Sequence, residues 1–305
     1  MKVLRFVWAV MKSKIILLFI LLFSMSAKTA EIKFLYAVSD AVEIRMGKPY
    51  GICAMKGELY IADTDGQLLV YREKDKELDF FEVDVVLKEP LGIACFPSKG
   101  IVCVSDGFHN RVFCFDKDGD TTISLGNKSK LKKPRGLFGD DKKGYLYITD
   151  VGNHSVFVFD LKGKLIRSFG GRGHTEGKFN YPTNVWVDSK GNVYVTDTMN
   201  FRIQVFNEKG EFIKALGGPG DTKGFFGRPK GIGVDNKGNV YVVDAVFNNV
   251  QILDQKGKGI YVFGSAGKKE GEFLLPAGLF IDNSGKLYIS DQLNRRIQVF
   301  QVTGK

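Results

Sequence analysis

Several chemistries are missing from this 305-residue chain. Its four cysteines, Cys53, Cys95, Cys103 and Cys114, form neither a C-x-x-C pair nor the C-x-x-C-H of haem attachment. Histidine occurs three times, at His109, His154 and His174, with irregular spacing. No G-x-S-x-G elbow and no serine–histidine pairing support nucleophilic catalysis. The glycine cluster Gly170-Gly171-Arg172-Gly173 leads into a strand pattern rather than a helix N-terminus, so it is no phosphate cradle. No low-complexity segment or Pro/Ser-rich linker interrupts the chain. The apolar run at residues 15–23 (IILLFILLF) is nine residues long, well short of the ~20 that a spanning helix needs.

That run has another meaning. Lys12 and Lys14 precede it and the small-residue stretch Ser24-Met25-Ser26-Ala27 follows, which is the layout of a cleavable secretory signal over residues 1–27. Met11 begins a compact signal of its own. The expectation is a secreted or periplasmic protein, or a membrane-anchored one if the segment stays uncleaved. The formal charge of +10 is partly a leader effect. Lys2, Arg5, Lys12, Lys14 and Lys28 stand there with no acid, which leaves +5 for residues 31–305. So mild a surplus favours an anionic partner only weakly, and an exported chain seldom meets nucleic acid.

What is present is a repeat. Residues 181–217 read as four short strands rich in valine, isoleucine, tyrosine and phenylalanine. Asp188-Ser189-Lys190-Gly191 and Asn207–Gly210 lie between them as turns. A lone sheet of this kind would leave both faces and both edges bare, so it needs copies. The opening proline recurs at Pro49, Pro90, Pro134, Pro182, Pro229 and Pro276. The aspartate closing the second strand recurs at Asp63, Asp106, Asp150, Asp197, Asp244 and Asp291, at separations of 43, 44, 47, 47 and 47 residues. Four strands at that period mark a propeller blade. The fold expected over residues 31–305 is therefore all-β, a six-bladed β-propeller of four-stranded antiparallel blades. Blade six lacks a fourth strand, and the N-terminal strand near Ile32–Tyr36 is expected to close it. Blade one is the most degenerate, with its last strand expected within residues 78–86. Two residues after each opening proline stands Gly51, Gly92, Gly136, Gly231 or Gly278, with Asn184 as the exception. Asparagine tolerates positive φ best among non-glycine residues, which predicts a left-handed backbone there.

The pattern P-x-G-[IV]-x-V-D-x-x-G-x-[VL]-Y-[VI]-x-D-x-x-N-x-R-[IV]-Q-V-F resembles the NHL repeat, in an exported bacterial-type member. Residues 182–206 and 276–300 match almost throughout, other blades in part, and the segments FGGRGHTEGKF and FGSAGKKEGEF resemble the family's interblade loops. The resemblance implies the propeller and says little about activity. The family includes a zinc lyase acting on peptidyl hydroxyglycine, whose metal histidines come from well-separated blades. The histidines here do not reproduce that arrangement.

Because the aspartates repeat in every blade, they are expected to fix turns rather than to bind calcium or substrate. Arg111, Arg202 and Arg296 are expected to pair with neighbouring turn aspartates. The loops joining strands two and three share one side of the disc with the interblade loops. That side collects the candidate partner-binding residues Tyr50, Phe108, Arg135, Arg172, Lys230 and Phe247, aromatic and cationic as interfaces prefer. His109, His154 and His174 fall there too, as weak candidates for a metal. Four cysteines allow three disulfide pairings, of which Cys103–Cys114 is the one to test, and each also fits as a small buried hydrophobe. The function expected is a non-enzymatic monomeric ring, without cofactor, that binds a protein, peptide or glycan through its loop face. The alternatives are a metal-dependent lyase or hydrolase at the channel mouth, and an RNA-binding domain if the protein proves cytoplasmic.

Overall fold

A computed structural model of the chain describes residues 31–41, 44–126 and 130–303. The signal-peptide expectation for residues 1–27 lies outside them. Among the described residues no helix is long and apolar enough to cross a membrane. In the described residues twenty-four strands form six four-stranded antiparallel sheets, the blades of a propeller. Blade one runs β2 (Pro49–Met55), β3 (Glu58–Asp63), β4 (Gln67–Arg72) and β5 (Glu77–Phe80). Blade two runs β6 (Pro90–Phe96), β7 (Ile101–Asp106), β8 (Arg111–Phe115) and β9 (Thr121–Leu125). Blade three holds β10 (Pro134–Asp140) to β13 (Leu165–Gly170), blade four β14 (Pro182–Val187) to β17 (Phe212–Leu216), and blade five β18 (Pro229–Val234) to β21 (Gly259–Phe263). Blade six takes β22 (Pro276–Ile281), β23 (Lys286–Asp291) and β24 (Arg296–Thr303) from the C-terminus and β1 (Glu31–Val38) from the N-terminus. The sheet order β1-β24-β23-β22 confirms the closing strand, with Glu31 opposite Thr303.

Turn chemistry shapes each blade. Asp188 and Asp235 each accept backbone N–H bonds from the residues two and four further on, and Asp116, Asp160, Asn207 and Asp254 do the same between strands three and four. Each such turn ends on a glycine with positive φ, as at Gly191 (85°) and Gly210 (86°). Side chains alternate between the two faces of every sheet, and both faces pack on a neighbour. Six hydrophobic clusters result, one for each interblade interface. The interblade loops pin themselves with Phe179, Phe226 and Phe273, all fully buried, each worth roughly 1.5–3 kcal/mol of burial.

The buried aspartates do what the repeat suggested. Asp63, Asp106, Asp150, Asp197, Asp244 and Asp291 are all 0% exposed. Each accepts backbone N–H bonds from the loop entering its own blade, Asn180 to Asp197 and Leu274 to Asp291 both at 2.7 Å. Arg202 and Arg296 add Nε–H bonds at 2.9 and 2.8 Å to the same carboxylates. Arg111 departs from expectation. His109 Nδ1 occupies Asp106 at 2.9 Å, and Arg111 instead donates to Ser124 Oγ at 3.2 Å.

The glycines after the prolines require a correction. None of Gly51, Gly92, Gly136, Gly231 and Gly278 has positive φ, and neither does Asn184. Their constraint is close approach between blades. A Cβ at Gly51, Gly92, Gly136, Gly231 or Gly278 would lie 1.9–2.6 Å from a carbonyl oxygen of the next inner strand. Ser105 and Ser290 bridge the same contact, each accepting a glycine N–H and donating to the neighbouring carbonyl of Arg135 or Tyr50.

Both disulfides are formed: Cys103–Cys114 between neighbouring strands of blade two, and Cys53–Cys95 between the inner strands of blades one and two. Across the closure, Glu73 accepts from Lys286 Nζ at 2.7 Å, Tyr36 Oη at 2.7 Å and Tyr288 Oη at 2.8 Å. It thereby ties blade one, blade six and β1 together. Burial raises its carboxyl pKa, and the three donors outweigh burial to hold it below the usual glutamate value.

Gly92→Ala forces a methyl to 2.0 Å from the Arg135 carbonyl. It is expected to cost about 2–4 kcal/mol in urea unfolding, whereas Gly57→Ala, whose Cβ meets nothing within 4 Å, costs only its backbone strain. Glu73→Gln is expected to lower the melting temperature at neutral pH. A depressed carboxyl pKa stabilises above the unfolded value of about 4.3 and is lost as pH falls through the folded one. The wild-type melting temperature therefore drops more steeply than that of the variant in that acidic window.

Candidate functional site

The residue after each opening proline begins an inner strand at the loop-face end of the channel. Leu91, Thr183 and Ala277 are buried there, and Tyr50, Arg135 and Lys230 converge on one another. Arg135 Nε donates to Tyr50 Oη at 3.0 Å, and its guanidinium carbon lies 5.0 Å from the Tyr50 ring centroid. Lys230 Nζ stands 5.8 Å from the same centroid. Tyr50 was expected on the surface as an anchor. It is 4% exposed instead, folded under the two cations as a plug across the mouth. Burial raises its phenol pKa, but the positive charges of Arg135, Lys230 and Arg228 outweigh burial and hold it below the ordinary value. Burial also lowers the Lys230 pKa, with Tyr50 opposing and Arg135 adding to the effect. A hydrogen-bonded phenol between desolvated cations suits an anionic group, or a proton held and released at Oη.

The remaining candidates spread around the rim. Phe108 is 60% exposed beneath Lys88, whose Nζ is 4.5 Å from the ring centroid. Arg172 is exposed in the loop entering blade four, and Phe247 lies half-buried over Gly227. The histidines do not meet. His109 is held by Asp106, His154 Nδ1 accepts the Tyr181 N–H at 3.3 Å, and His174 Nδ1 sits 2.7 Å from Asn200 Oδ1. Among the described residues no group of three or more His, Cys, Asp or Glu is placed to hold a metal ion.

Phe108 belongs to a wider set of surface residues, whose other members the sequence did not single out. Two positions beyond the buried aspartate, at the tip of the strand-two-to-three turn, stand Phe108, Met199, Val246 and Leu293 in four of the blades, exposed by 44–60%. Tyr181 and Phe225 in the adjoining interblade loops are exposed as well. Most large apolar side chains left exposed among the described residues therefore ring this one face. The signal was available as a fixed offset from the repeating aspartate.

Residues 179–206 match the family model of the NHL repeat, and residues 226–305 match that of a 6-bladed beta-propeller. The chain is a six-bladed β-propeller carrying the NHL repeat. Among proteins of curated function, none matches it significantly by sequence. Solved structures similar to this propeller include virginiamycin B lyase from Staphylococcus aureus, 14% identical over 90% of this chain and 100% of that one, TM-score 0.64. A gluconolactonase from Xanthomonas campestris is 16% identical, covering 92% and 93%, with a TM-score of 0.67. An auxiliary nutrient binding protein from Bacteroides thetaiotaomicron is 12% identical, covering 91% and 77%, also at 0.67. At such identities the likeness concerns the fold, and the propeller's chemistry has to be argued from its own residues.

In a spectrophotometric pH titration, one tyrosine of this propeller is expected to ionise below the ordinary phenol value of about 10. Tyr36, Tyr60, Tyr194, Tyr241 and Tyr288, each raised by burial first and a carboxylate partner second, stay protonated past it. Tyr50→Phe removes the early step, and Arg135→Met moves it upward. An early step that survives Tyr50→Phe assigns it to another tyrosine.

Proposed function

We propose that this propeller is an exported recognition scaffold that binds a protein, peptide or glycan partner across its loop face. The observation that carries the reading is the ring of exposed Phe108, Met199, Val246 and Leu293 around a mouth whose charged side chains include Arg135, Arg228 and Lys230. Exposed apolar side chains at equivalent points of blades two, four, five and six supply contact area with little reorganisation, since each stands on a turn pinned by a buried aspartate. The central cations give the face its sign, so the partner segment that sits over the mouth carries carboxylates or other anions. Export is supported by the leader pattern of residues 1–27 and by two disulfides, which persist in oxidising compartments.

A photo-crosslinking amino acid at Leu293 or Val246 is expected to capture one partner from the envelope fraction. The same label at Ile213, exposed on the outer strand β17, should not. Arg135→Ala with Lys230→Ala should weaken capture at least about tenfold and flatten its salt dependence. Equal capture at Leu293 and Ile213, or no effect of removing both cations, would show that the face is wrongly assigned.

A further inference from the structure

Beyond the loop face, the channel itself holds an unassigned pocket. It encloses about 480 Å³, within the range of small-molecule sites, and runs from Tyr50 to turns on the opposite face that contribute Pro97, Asp141, Asp282 and Asn283. Its walls are unequal. Blades three, four and six supply Phe138, Trp186 and Phe280, with ring centroids 5.0 Å apart for Phe138–Trp186 and 5.7 Å for Trp186–Phe280. Trp186 reaches past blade five, whose corresponding residue is Gly233, to touch the blade-six ring. Blades one and two face this aromatic wall with small groups, among them Gly51, Ala54, Gly92, Ala94 and the Cys53–Cys95 bridge. The space those small residues leave is a slot beside a continuous π surface.

Its charge has one sign. Asp141 and Asp282 line the slot, and no lysine, arginine or histidine does. The Asp141 carboxylate accepts from the Ser98 backbone N–H and hydroxyl, and Asp282 Oδ1 accepts from the Ser284 backbone N–H and hydroxyl and the Lys286 backbone N–H. None of these donors is a formal cation, so both charges stay uncompensated by an ion pair. The Trp186 indole N–H makes no hydrogen bond among the described residues. Indole and phenyl faces beside two carboxylates select a positive charge carried on a compact apolar body.

The geometry points to a binding site for a small flat organic cation, such as an ammonium borne on an aromatic ring, entering from the face opposite the loops. Its body lies in the slot against Trp186, and its charge sits toward Asp141 and Asp282. The site shares Tyr50 with the loop-face mouth, but none of the exposed apolar ring lines it.

Trp186 reports on its own site. The chain has two tryptophans, so the full chain carrying Trp8→Phe has one indole. Benzyltrimethylammonium is expected to change its emission saturably, with benzyl alcohol about tenfold weaker and benzoate without saturable effect. Asp141→Asn with Asp282→Asn should bring the cation down to the level of the alcohol. Ala54→Leu, which fills the slot, should abolish the response at an unchanged fold, checked by the circular dichroism melt. Should the carboxylate variant not fold, the ligand series and Ala54→Leu still decide. Equal affinity for benzyl alcohol, or a saturable response to benzoate or glucose, would overturn the cation assignment. No saturable response to any probe would overturn the site.

Discussion

The structure depends on how near the six inner strands come to one another. A disc of six sheets closes only if neighbouring strands touch along the axis, and here the backbones meet with no room for a side chain. Gly51, Gly92, Gly136, Gly231 and Gly278 are the points of contact, and each leaves a carbonyl of the next strand where a methyl would stand. Serine hydroxyls at Ser105 and Ser290 convert two of these approaches into hydrogen-bonded bridges. Everything further out follows from that spacing. The interblade cores have a fixed thickness, the loops emerge at fixed angles, and the residues after the prolines are crowded over one end of the axis.

Much of this was legible in the sequence, because most of it repeats. The period, the turn aspartates, the missing fourth strand of blade six and the strand that supplies it all follow from local rules applied several times over. What was misread is what arises between blades. The glycines suggested backbone freedom, yet their neighbour is a strand forty or more residues away in sequence. Tyr50 looked like a surface anchor, and it is buried because Arg135 and Lys230 reach it from two other blades. Cys103 opposite Cys114 could be read from register, whereas Cys53–Cys95 needed the ring.

The channel shows how a repeat becomes specific. Six equivalent inner strands would give a symmetric tube. Here the bulky rings come from blades three, four and six and the small residues from blades one and two, so one half of the axis is aromatic and the other open. The channel's asymmetry therefore arises where the copies disagree, while the positions on which they agree, the aspartates and most of the post-proline glycines, hold the scaffold.

The pairing of β1 with β24 has a consequence for how such a chain is made. The contact joins Glu31 to Thr303, so the first strand to emerge is the last to find its place. Until the C-terminal strands are made, blade six has no sheet for β1 to join and Glu73 lacks Lys286 and Tyr288. The ring is then an open arc with bare edges, and contacts this distant in sequence are slow to form. A nascent chain of this design cannot close its ring until β24 is available to β1.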